Sequence, residues 1–303
     1  MLSVVFRGSV AALYVCTAFA QLRPGDDPGD FIRQGQELVR QGKEAEALKL
    51  YRQSLSFNPD SYPANSAAGT AADLGGDYAA AHAFFAKAIQ VSSGVQKIRA
   101  LRDMAISFGF AGNCKDGVKY DEQAYRMELD LKDFYNAGEV ADELARLCID
   151  NGDLDSAQQW YKTGHDAGLQ EPGIKPDRVH LWEFRWEHAQ ARLAARRADA
   201  AAAQEHVEAA KAVLSKGDNP QQEQFLPYLL GYVAFYGGDY KTALNQFLQA
   251  AQSDAFILTM IGETLEKLGR NSQALDYYRR ALTVSAHNPP VAYARPFAKT
   301  KIH

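Results

Sequence analysis

The chain has 303 residues, 47% of them hydrophobic, with 37 acidic against 33 basic side chains and a formal charge of −4. That apolar content supports a folded core in one large domain or two ordinary ones and excludes a disordered chain. The mild acidity offers no basic field to nucleic acid, so nucleic-acid partners are excluded.

The N-terminus comes first in chain order. Arg7 precedes the apolar run SVAALYVCTAFA (9–20), which closes on Ala18-Phe19-Ala20. This is the layout of a secretory signal (1–20) with a small-x-small cleavage site before Gln21. Twelve apolar residues are too few to cross a bilayer, which takes about 20. The expectation is an exported protein, periplasmic or secreted. The rival is a membrane-tethered assembly factor of an envelope complex, held by an uncleaved N-terminal segment. Bulky Val15 argues against a lipid on Cys16. The stretch QLRPGDDPGD (21–30) is turn-rich, so 21–29 reads as flexible, with Asp30 as a candidate helix cap.

From there a phrase repeats. GGDYAAAHAFFAKAI (75–89) returns as GGDYKTALNQFLQAA (237–251), each a turn followed by an amphipathic helix. Turn glycines of this kind stand at Gly42, Gly76, Gly112, Gly152, Gly238 and Gly269, with Ala198 in the glycine's place in one copy. Seven residues before each turn stand Gly35, Gly69, Ala105, Ala145, Ala191, Gly231 and Gly262. Five after it stand Ala47, Ala81, Gly117, Ala157, Ala203, Ala243 and Ala274. Twelve after it stand Ser54, Ala88, Ala124, Gly164, Ala210, Ala250 and Ala281. Antiparallel helices approach closely only where side chains are small, so these columns mark helix crossings. Tyr51, Phe85, Tyr161, Phe247 and Tyr278 recur nine residues after the turn and are expected to fill the space between hairpins.

A spacing near 34 residues with helical patterning points to stacked hairpins, and the columns closely resemble the tetratricopeptide repeat family over 31–286. The resemblance implies an all-α, right-handed superhelical solenoid of about seven helical hairpins, of the exported bacterial type. Copies fall near 28–61, 62–95, 98–131, 138–171, 184–217, 224–254 and 255–288. Copies three and five are degenerate, with Asp121 and Val207 in the aromatic column.

Two stretches interrupt the array. GLQEPGIKPDRV (168–179), with Pro172 and Pro176, is a plain long connection or a hinge, and SKGDNPQQ (215–222) is a shorter break. The tail 287–303 reads as a short helix capping the last apolar face, with Pro296 limiting its length. Arg295, Lys299, Lys301 and Lys97 do not form a patch for anionic lipid.

No metalloprotease, dithiol, nucleophile-elbow or phosphate-loop motif occurs, so no enzyme, cofactor or metal site is expected. His180 and His188 are eight apart, not the three or four that would let one helix face share a metal. The Glu139 and Asp142 carboxylates sit at helical spacing, as exposed faces do. A cell-wall enzyme on a helical array would need a catalytic domain for which 31–286 leaves no room. Cys114 and Cys148 lie at one level of neighbouring helices, and either bond or stay as two separate buried thiols.

The first helix of each hairpin lines the inner face of such an array. In copy six Phe225, Tyr228, Tyr232, Phe235 and Tyr236 recur at helical spacing. Arg99, Arg102, Arg185, His188 and Arg192 point the same way on copies three and five. Together they read as an aromatic shelf beside a basic wall, suited to an extended peptide or a carboxylate-bearing ligand; the other reading packs the rings against neighbouring hairpins or the tail. The resemblance implies a non-catalytic scaffold that binds a protein or peptide in its concave groove. The family's carboxylate-clamp set of Lys and Asn is missing.

Overall fold

The computed structural model describes residues 27–302. The signal expected at 1–20, its cleavage site and most of the loose start lie outside the described residues. Within them the chain forms fifteen α-helices, one 3-10 helix and no strand. Seven hairpins follow in order: α1 (Pro28–Arg40) with α2 (Glu44–Phe57), α3 (Tyr62–Gly75) with α4 (Tyr78–Val91), and α5 (Gly94–Phe110) with α6 (Cys114–Asp130). Then come α7 (Phe134–Asp150) with α8 (Leu154–Gly168), and α9 (Pro176–Arg196) with α10 (Ala200–Leu214). The last two are α11 (Leu226–Tyr236) with α12 (Tyr240–Gln249) and α13 (Ala255–Lys267) with α14 (Asn271–Thr283), before a final α15 (Pro289–Lys301).

The repeated phrase is turn chemistry. Each turn glycine adopts a left-handed φ, from +68° at Gly112 to +96° at Gly76, which glycine reaches without steric cost. In five of the seven copies the next residue caps the second helix: Asp77, Asn113, Asp153, Asp199 and Asp239 each accept from the backbone N–H three residues on. Such a cap satisfies an amide that the helix itself leaves free. Ala198 holds the same left-handed conformation, at φ +59°. At the array's start the cap is Asp27, which accepts from Gly29. Asp30 therefore sits inside the first turn and is not the cap, because Pro28 opens the helix two residues earlier.

All twenty-one small residues of the three columns are buried. Four rings of the aromatic column, however, fill a space inside their own hairpin, while Tyr161 reaches Arg192 of the next one. A Cβ on Gly69 would lie 2.6 Å from the Phe85 ring, and one on Gly231 2.6 Å from the Phe247 ring. Gly35 and Tyr51, and Gly262 and Tyr278, make the same pair. Where the ring is absent, at Asp121 and Val207, alanine replaces the glycine opposite, at Ala105 and Ala191. Asp121 is fully buried with both carboxyl oxygens unpartnered; burial and the neighbouring Glu143 push its pKa well up.

The insert at 168–179 is a seven-residue connection, 169–175, between two helix ends. Gly168 ends α8, Pro176 opens α9, and Trp182, fully buried, packs on Gly138 and Gly168 of the preceding hairpin. The break at 215–222 runs into the 3-10 helix Pro220–Phe225. Cys114 and Cys148 are joined as a disulfide, with Cα atoms 5.3 Å apart.

The tail departs most from expectation. Helix α15 runs through Pro296, and besides packing on α13 and α14 it lies against α5 and α7. Val291, Ala292 and Ala294 share one core cluster with Val39, Ala47 and Tyr51 of the first hairpin. Arg295, 7% exposed, donates to the Leu74 and Val284 carbonyls and pairs with Glu44 at 2.5 Å. Lys299 donates to Gly75 O, so two cations meet the C-terminal end of α3. Burial of this face outweighs the cost of an internal proline, about 3 kcal/mol.

Candidate functional site

The first helices α7, α9, α11 and α13 line the concave side, and α15 covers part of it. What stays open is a cavity of about 330 Å³ lined by residues of α7 through α13 and the 3-10 helix. Its walls come from equivalent turns of three successive hairpins. Counting back from the turn residue, position six supplies Arg146 and Arg192, and position ten supplies Asp142, His188 and Tyr228. Position thirteen supplies Arg185 and Phe225. Residues three and four apart share a helix face, so equivalent positions of successive copies meet at one cavity; Tyr232 at position six and Glu139 at position thirteen do not line it.

The polar groups are unevenly matched. Arg146 is held by Asp150 at 2.9 Å, with its guanidinium 4.3 Å over the Phe256 ring. Arg185 pairs with Glu139. Asp254 accepts the N-terminal amides of Phe256 and Ile257 at α13. Arg192, 5% exposed, forms no ion pair with any described residue; it donates to the Tyr161 hydroxyl at 2.8 Å, the Tyr228 hydroxyl at 3.4 Å and the His188 carbonyl at 3.4 Å. Burial, then the charges of Arg192 and Arg146, hold His188 well below the usual histidine range, so its ring is neutral. The Nε2 of that ring is buried without a partner. Asp142 is pushed up to about 7, mainly by burial, with the nearby arginines pulling the other way.

The ten groove residues divide. Phe225, Tyr228, Arg185, His188 and Arg192 line this cavity. Arg99 and Arg102 do not join them: they line a second cavity of about 320 Å³ with Tyr62, Glu143 and His287, where Arg102 pairs with Glu143 at 2.7 Å. Tyr232 and Phe235 are buried, and Tyr232 stacks on Phe256, which packs on Tyr293 of α15. Tyr236 packs on Tyr232 and under Arg196. The continuous shelf is thus corrected to one exposed ring, Phe225, one buried ring at the cavity wall, Tyr228, and a packed cluster under α13 and the tail. Arg146 and Asp142 went unseen as site residues because Asp142, Arg146 and Asp150, four apart, look like an ordinary salt-bridged face. The equivalence of Arg146 and Arg192 relative to their turns was the signal that could have found them. His180 pairs with Asp218 instead of joining His188. Among the described residues no group of three or more His, Cys, Asp or Glu could hold a metal, and no helix is long and apolar enough to cross a membrane.

A family model described as Tetratricopeptide repeat matches residues 32–94 and 228–290. The chain carries tetratricopeptide repeats in both segments. Comparison with curated proteins finds no match. Solved structures similar to this chain share its fold. A tetratricopeptide repeat protein from Parabacteroides merdae is 13% identical, with 91% of this chain and 97% of that one covered and a TM-score of 0.51. Nearly identical TPR-like repeats from Podosopora anserina are 15% identical, covering 63% of this chain and 98% of that one, at a TM-score of 0.51. A Rap protein complexed with competence and sporulation factor is 12% identical, covering 84% and 73%, at 0.50.

Proposed function

We propose that this chain is a non-catalytic scaffold that, after export, holds a protein or peptide partner on the open part of its concave face. The observation that carries the reading is the cavity between α7, α9, α11 and α13, with Phe225 41% exposed at its lip. The protein's own α15 supports it from the other side. That helix is seated on the same concave surface through small apolar residues and through arginine and lysine contacts to backbone carbonyls, as a helical ligand would be. The Cys114–Cys148 pairing supports an oxidising compartment.

The test places the photocrosslinker p-benzoylphenylalanine at Phe225 and, as control, at Leu248 of the outer helix α12. A discrete adduct from the exported fraction at 225 and none at 248 is expected. Equal labelling at both, or none at 225, removes the reading.

A further inference from the structure

Beyond a macromolecular partner, we propose that the cavity around Arg192 is a binding site for a small organic acid, a single carboxylate on an apolar or aromatic body. The ion pairing argues for an anion. Arg146 and Arg185 each have a carboxylate partner, Asp254 is engaged as a helix cap, and Arg192 alone is buried without one among the described residues. A guanidinium stays charged at every relevant pH, and an isolated buried charge is costly unless something compensates it.

The geometry argues for a carboxylate. Arg192 has five N–H donors, of which the His188 carbonyl and the Tyr161 and Tyr228 hydroxyls take three: one from Nε, one from Nη1 and one from Nη2. One N–H is left on each terminal nitrogen, enough to donate to both oxygens of a carboxylate. The two tyrosine hydroxyls, receiving from Arg192, still have their own protons to give. His188, neutral, has its Nε2 buried and unanswered beside them.

The walls argue for the body. Phe184, Phe225, Tyr228 and Ile257 enclose the space, and about 330 Å³ lies at the lower end of small-molecule sites. Asp142 is the one lining carboxylate without an ion-pair or capping role, and it sets an expectation of opposite sign: above a pKa pushed up to about 7 by burial, its charge opposes a bound anion.

The experiment is calorimetry on the full, disulfide-bonded chain with 3-phenylpropionate, octanoate and cyclohexanecarboxylate, each against its amide. At least one acid binds saturably and its amide binds at least about tenfold more weakly. Arg192→Met weakens the acid about thirtyfold, the loss expected on removing one partner of a buried charged hydrogen-bonded pair. Asp142→Asn tightens it, and Phe225→Ala, at an exposed position that leaves the fold intact, weakens it. Should Arg192→Met fail to fold, the acid–amide contrast and the opposite signs of Asp142→Asn and Phe225→Ala decide. No saturable binding by any acid, or equal binding of acid and amide, overturns the proposal. So does a tripeptide ending in a free phenylalanine carboxylate that binds tenfold tighter than every acid, since that assigns the site to a chain terminus. Acid binding without a crosslinked partner would sink the scaffold reading and leave this one standing; the reverse pattern would do the opposite.

Discussion

Two single residues carry effects that their neighbours make measurable. Ala198 holds a left-handed backbone at a turn where every equivalent copy has glycine. A Cβ in that conformation costs about 1–2 kcal/mol, and glycine's freedom in the unfolded chain returns about 0.4–1 of it. Ala198→Gly is therefore expected to stabilise the protein by up to about 1 kcal/mol, read as a higher urea midpoint with an unchanged slope. His287 lies between the tail and two hairpins, its Nε2 2.8 Å from Asp73 and its Nδ1 3.6 Å from Asp103. Burial opposes its charge, but the facing Asp103 carboxylate and the hydrogen-bonded Asp73 carboxylate prevail and carry its pKa up to about 9. Glu143 of α7 acts in the same direction. A raised folded pKa means stability that is complete below pH 6.5 and lost as pH rises through about 9. The loss is roughly 3 kcal/mol, and denaturation at pH 6 and pH 10 should show it in the native chain and not in His287→Asn.

Within the helices, the ring-on-glycine pairs set how tightly each hairpin closes. Gly231→Ala drives a methyl into the Phe247 ring and is expected to cost roughly 1–3 kcal/mol. Adding Phe247→Leu to Gly231→Ala should recover part of that loss, although Phe247→Leu alone destabilises; a double-mutant cycle by chemical denaturation measures the coupling. These hairpins were readable because turn glycines and crossing residues are local: a left-handed φ or a close approach leaves few residue types open at a fixed spacing. The two copies lacking both ring and glycine, with Asp121 opposite Ala105 and Val207 opposite Ala191, obey the same rule. Orientation was less readable. Tyr228, Tyr232 and Tyr236 lie on adjoining stripes of α11, and which ring meets solvent depends on where α13 and the tail settle. Nothing in the periodicity of α11 encodes that.

At the scale of the whole molecule, long-range ties add to nearest-neighbour stacking. The Cys114–Cys148 bond closes a loop across the third and fourth hairpins, 34 residues apart in sequence. In the chain-entropy model its reduction costs about 3–4 kcal/mol, to be read as the difference between urea curves with and without reductant; identical curves would mean the bond contributes nothing. The tail's position was not legible. Its buried side chains are mostly small, Pro296 signals a stop, and its partners, Glu44 and Leu74, stand more than two hundred residues upstream.

A spiral made of like units ordinarily has two loose tips and no preferred number of coils. Here Arg295 is bonded to Glu44 at one tip and to the Val284 carbonyl near the other, so the spiral is buckled like a belt at one notch. Inserting or removing a single coil would carry the buckle past its hole. The number of units in this molecule is therefore a property of the clasp, and a lengthened version should come undone at both tips together.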